Sequence, residues 1–95
     1  MKERVYISGP IKGIDNPKEI FYNAQIKLEK EGFDVTNPFD LLDSGTYEEY
    51  LRYDIRALTF CDSIFMLPNW KKSKGATLEH MVATMIGLKV IDYGS

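Results

Sequence analysis

Ser63-Ile64-Phe65-Met66-Leu67 is a short, unbroken apolar run. A strand that is apolar at every position, and not only at every second one, is covered on both faces. Helices on two faces of a sheet call for parallel strands joined by crossovers. The rest of the chain supplies these parts. Val5-Tyr6-Ile7 reads as a buried strand ended by Gly9-Pro10, and Phe33-Asp34-Val35-Thr36 as a second ended by Asn37-Pro38. Leu88-Lys89-Val90-Ile91 follows Gly87 as a fourth.

Helical spacing fills the gaps. Ile20, Phe21, Ala24 and Leu28 recur on one face of a helix that Gly32 stops. Asn16 is its expected N-cap, Pro17 its first residue, and Glu19 the completion of a capping box. A second helix is predicted over about 47–60, with Tyr47, Tyr50, Leu51, Ile55 and Leu58 on one side, and a third over about 76–86. Residues 41–46 read as an irregular connection, with Asp43-Ser44-Gly45 as its turn signal. The expected fold is α/β: an open parallel sheet of about four strands with helices on both faces, Rossmann- or flavodoxin-like. Residues 1–95 read as one domain.

Composition removes several function classes. Twelve basic against fourteen acidic residues give a net charge of −2, which argues against a nucleic-acid polymer as partner. Cys61 is the one cysteine, so no internal disulfide forms and a reducing, cytoplasmic setting is expected. No apolar stretch approaches the ~18 residues of a membrane span, and the start is not signal-like. One histidine and one cysteine do not make a metal-ligand set, so no metal is expected; no organic cofactor is expected either.

In open α/β sheets ligands sit beyond the carboxyl ends of the strands. Two small-residue loops leave strands at that edge: Ser8-Gly9-Pro10-Ile11-Lys12-Gly13, and the loop running from Pro68 to Gly75. In the second, Ser73-Lys74-Gly75-Ala76-Thr77-Leu78-Glu79 sets a hydroxyl-bearing, flexible segment ahead of an acid expected in the first turn of a helix. The unpaired N–H groups and dipole of a helix start keep such a carboxylate ionised. An ionised carboxylate beside a small-residue loop suits attack on a sugar carbon, which makes Glu79 the candidate nucleophile. Tyr6 is either the hydrogen-bonding residue that orients it or a plain strand aromatic. Asp54 lies among Tyr50, Leu51 and Leu58, where an acid is costly unless paired or used; it is either a proton donor bordering the pocket or a flank acid paired with Arg52 or Arg56. Ser8, Gly9, Lys12 and Gly13 are candidate anion ligands, although the Gly-Lys-Ser/Thr ending of a P-loop is missing. Asn69 and Trp70 are substrate candidates, with Trp70 either stacking on a nucleobase or covering a subunit contact. His80 is expected off the pocket face, and Asp62 reads as a turn or capping acid at the opposite sheet edge.

With Tyr6-Ile7-Ser8-Gly9-Pro10, Asp54-Ile55-Arg56-Ala57-Leu58, Cys61-Asp62 and Ser73 to Glu79 in view, the chain resembles the nucleoside 2-deoxyribosyltransferase-like superfamily. The resemblance is especially to a small phage and bacterial branch of it, over about residues 5–90. The resemblance implies that Glu79 attacks the anomeric carbon, that Tyr6 holds it, and that Asp54 lies at the base. Ser73 is similar to the serine of 2′-deoxynucleoside 5′-monophosphate N-glycosidases, where transferases of free nucleosides have an acid. With Ser8, Gly9, Lys12 and Gly13 it resembles a phosphate-accepting arrangement, although Pro10 replaces a serine and Lys12 an arginine. Family enzymes complete the pocket beyond the fourth strand, partly from a neighbouring subunit. The present sequence runs to Ser95, so either a neighbour supplies those residues or the pocket stays open. The expected activity is therefore N-glycosidase or 2-deoxyribosyltransferase chemistry on (deoxy)nucleosides or their 5′-monophosphates. The alternative is a non-catalytic module binding a nucleotide or an NAD-derived metabolite. A homo-oligomer is expected, since Tyr47, Tyr50, Tyr53, Phe39 and Trp70 exceed what one thin core needs.

Overall fold

The computed structural model describes residues 2–93; Met1, Gly94 and Ser95 lie outside it, and with them the point where the sequence stops. Four strands, β1 (Arg4–Ser8), β2 (Asp34–Thr36), β3 (Ser63–Met66) and β4 (Lys89–Asp92), alternate with three helices, α1 (Pro17–Lys30), α2 (Tyr47–Thr59) and α3 (Lys74–Met85). All strand pairs are parallel, in the order β2-β1-β3-β4. The register aligns Tyr6 with Thr36 and Ile64, and Ser8 with Met66. From β1 the chain turns toward one edge and from β3 toward the other, so the crevice between them is the topological switch point.

Strand alternation sorts the core into two layers. Val5, Ile7, Phe65 and Leu67 face α1, where they pack on Phe21 and Leu28. Tyr6, Ile64 and Met66 face α2 and α3, where they meet Leu58, Ala76 and Ala83. Every residue of β3 is buried, as its unbroken apolar run requires. At the amino edge Asp62 accepts from the Arg4 amide (2.9 Å) and Ser63 donates to Glu3, so Asp62 is a strand-start clamp remote from the carboxyl edge.

Three local expectations are corrected. Asn16 precedes α1 in the left-handed region (φ 52) and its side chain caps nothing; its carbonyl takes the Glu19 and Ile20 amides instead. The capping box belongs to α2, where Thr46 accepts from the Glu49 amide and Glu49 from the Thr46 amide. Ile20 and Tyr47, expected on buried faces, are exposed.

Candidate active site

β1 brings two hydroxyls to one face because Tyr6 and Ser8 are two residues apart. α3 lies across that face and presents Glu79 to them. Tyr6 Oη donates to Glu79 Oε2 at 2.8 Å and Ser8 Oγ donates to Oε1 at 2.6 Å. Each carboxylate oxygen thus has its own donor, and Glu79 is only 6% exposed.

The expectation of a freely ionised, first-turn acid is corrected here. Ser73 is the N-cap of α3, with its hydroxyl accepting the Ala76 amide (3.2 Å), so the helix begins at Lys74, not 76. Glu79 therefore stands beyond the first turn, where the dipole's end effect has faded. Burial dominates: it pushes the Glu79 carboxyl up to about 7, against the lowering pull of the Ser8 and Tyr6 hydrogen bonds, with the charge of Asp54 adding to the rise. Burial, and then the Glu79 charge, keep the Tyr6 phenol well above its ordinary value.

Asp54 does not pair with Arg52 or Arg56. Its Oδ1 is fully shielded and has no hydrogen-bond partner, while the Arg56 guanidinium lies over the Tyr53 ring at 5.8 Å. Burial pushes the Asp54 carboxyl up to about 6, and its charge acts on both Tyr6 and Glu79. The two acids thus share roughly one proton near neutrality. Glu79 has two hydroxyls that favour its ionised form, whereas the shielded Asp54 oxygen has none; the deeper burial of Glu79 still leaves its carboxyl the higher of the two, about 7 against about 6.

The remaining candidates divide. Ser8, expected as an anion ligand, has its proton committed to Glu79. Gly9 is required by packing, since a Cβ there would stand 2.7 Å from Leu67 Cβ. Lys12 and Gly13 are exposed in a turn where Ile14 N–H donates to the Ile11 carbonyl (3.3 Å). Asn69 is exposed in left-handed conformation (φ 66) ahead of a single 3-10 turn, Trp70–Lys72. Trp70 is part of the buried core, with its ring stacked on His80 at 4.3 Å, so that face is not free for a base or a subunit. Gly75 is different. It is helical, and a Cβ there would meet Leu51 and Tyr47 at ordinary contact (3.6 and 3.7 Å), so packing does not demand a glycine. Among the surface concavities, one of about 410 Å³ is lined by Leu51, Arg52, Ile55 and Arg56, and one of about 590 Å³ lies between α1 and β4; Glu79 lines neither of these.

The role of Ser8 beside Glu79 was missed from sequence. The two-residue spacing from Tyr6 to Ser8 was its signal, since whatever faces Tyr6 also faces Ser8.

Among solved structures, the chain is similar to a 2-desoxiribosyltransferase from Leishmania mexicana, with a TM-score of 0.75 at 19% identity, covering 96% of this chain and 63% of that one. The chain thus spans less than two thirds of that enzyme, and at this identity the likeness establishes the shared α/β fold. No curated protein matches the sequence. Residues 3–92, nearly the whole described structure, match the profile described as "Domain of unknown function (DUF4406)", and the chain belongs to that family.

Proposed function

We propose that this protein is an N-glycosidase or 2-deoxyribosyltransferase of (deoxy)nucleosides, best suited to 5′-monophosphates. One observation carries the reading: a buried carboxylate at the carboxyl side of the sheet, held at both oxygens by Tyr6 and Ser8, beside a second acid, Asp54, whose shielded oxygen has no hydrogen-bond partner and whose carboxyl burial raises. Glu79 attacks C1′ as the bond from C1′ to the base nitrogen breaks. That electron pair leaves with the base, which takes the proton of Asp54. Water, or a second base, then attacks C1′, gives its proton to the Asp54 carboxylate and releases the Glu79 carboxylate. The 5′ group is placed at the start of α3. Six residues of helix put Ser73 about 9 Å from Glu79 along the axis, and the Ser73 hydroxyl retains its proton for donation while Gly75 leaves the backbone approachable. Lys12 and Gly13 are the candidates for the outer side of that anion. A homo-oligomer is part of this reading.

Glu79→Ala is expected to abolish release of free base from a panel of deoxynucleoside monophosphates while far-UV circular dichroism stays native. Base release undiminished in that variant rejects the reading. A second reading, a nucleotide-binding module without turnover, is favoured by the near-complete burial of Glu79 and its absence from the lining of those two concavities. Thermal stabilisation by a nucleotide without any free base selects it.

A further inference from the structure

We propose that Ser8 is a positioning residue for Glu79: its hydroxyl holds the carboxylate oxygen nearest the carboxyl edge of the sheet and so fixes which oxygen attacks. The catalytic half of this proposal rests on the glycosyl-transfer reading; the Ser8–Glu79 bond itself does not. At 2.6 Å it is the shorter of the two bonds to Glu79 and has the length of a charge-assisted O–H···O contact. Ser8 is 1% exposed, so water does not compete for its proton.

Direction follows from the strand. Ser8 ends β1 and Tyr6 lies two residues earlier, so Ser8 is about 7 Å nearer the edge where ligands bind. Oε2 bonds to Tyr6 and Oε1 to Ser8, the strand residue nearer that edge, so Oε1 is the oxygen assigned to the substrate side. When Oε1 bonds to C1′ it loses its charge and the Ser8 bond weakens, while Tyr6 keeps its donor on Oε2 as that atom becomes the ester carbonyl. The Ser8 proton is committed to Glu79 and is not offered to a phosphate.

The groups that act on Glu79 from neighbouring elements are Tyr6 of β1 and Asp54 of α2. Lys71, Lys72 and Lys74 before and at the start of α3, and Lys89 and Asp92 of β4, are exposed, and His80 is stacked on Trp70. Removing the Ser8 hydroxyl leaves burial and the Asp54 charge opposed by Tyr6 alone, so Glu79 keeps its proton to higher pH.

Carboxyl ¹³C NMR of glutamate-labelled protein tests this, with the Glu79 signal identified by its absence in Glu79→Gln. In Ser8→Ala that signal is expected to titrate at higher pH than in the native protein. With a deoxynucleoside 5′-monophosphate, the acid limb of kcat moves the same way and the rate at pH 6.5 falls roughly tenfold, with KM little changed. An unmoved Glu79 titration overturns the proposal. So does an increase in KM for the monophosphate with both pH limbs in place, which assigns Ser8 to the substrate phosphate. If native protein releases no base at all, the glycosyl-transfer reading fails while the NMR titration still decides the role of Ser8.

Discussion

Glu79 sets a stability cost that depends on pH, and its sign can be worked out. An acid whose folded-state value is raised binds its proton more tightly in the folded than in the unfolded chain. Its favourable contribution is complete below about 4.5 and is lost as pH rises to about 7. For this nearly buried group the loss is on the order of 3 kcal/mol. The native protein is therefore expected to unfold at lower urea concentration at pH 8 than at pH 5. Glu79→Gln, which cannot ionise, should lose most of that slope, leaving the smaller part due to Asp54. Urea midpoints at four pH values measure both, and a native midpoint that does not move over this range contradicts the burial argument. The meeting of Glu79 with Tyr6 was legible in the sequence, because the loop ahead of the acid and the strand opposite are short-range patterns. Its ionisation was not, because burial is a property of the packed layers and outweighs the helix dipole.

Helix ends show how far local chemistry can be trusted. Asn16, Pro17 and Glu19 carry the residues of a cap, yet Asn16 takes the left-handed conformation that asparagine tolerates, and its side chain points away from the helix amides. Thr46 is β-branched and stays extended (φ −77, ψ 166), which aims its hydroxyl at the Glu49 amide. α2 leans chiefly on α3, so its first turn depends on that cap more than a deeply packed helix would. Thr46→Ala is expected to cost about 1 kcal/mol and to lower Tm by several degrees, read from a thermal melt followed at 222 nm; an unchanged Tm removes the capping box from the account. α3 differs from expectation by starting two residues early. Glycine at position 75 suggested loop, but Ser73 caps the helix ahead of it.

At the scale of the molecule the sheet was legible because short apolar runs alternate with stretches of period 3.6 along the chain, and each strand has a glycine, proline or asparagine close to at least one end. What faces outward was less legible. Of the aromatics expected at a subunit contact, Phe39 packs edge-on against Phe21 (5.1 Å) and Trp70 stacks on His80, which leaves Tyr47 and Tyr53 exposed. A different surface stands out: Leu78, Met81, Met85 and Ile86 all project from α3 or its end, with Met81 52% and Met85 80% exposed. α3 also buries Ala76 and Ala83, so it carries apolar side chains toward the core and toward solvent, and an exposed apolar patch of this kind is commonly a contact surface. From Gly75 to Leu88 the only charged side chain is the buried Glu79. Such a surface can meet its own copy across a two-fold axis without placing like charges together. The homo-oligomer included in the proposed function is thus expected to form through α3, the helix that holds Glu79. Light scattering at micromolar concentration should give a mass of two or more chains, and the double substitution Met81→Lys with Met85→Lys should return it to one while leaving the helical spectrum intact. A native monomer removes the shared assembly from the reading, and an oligomer that survives both lysines moves the contact to another face.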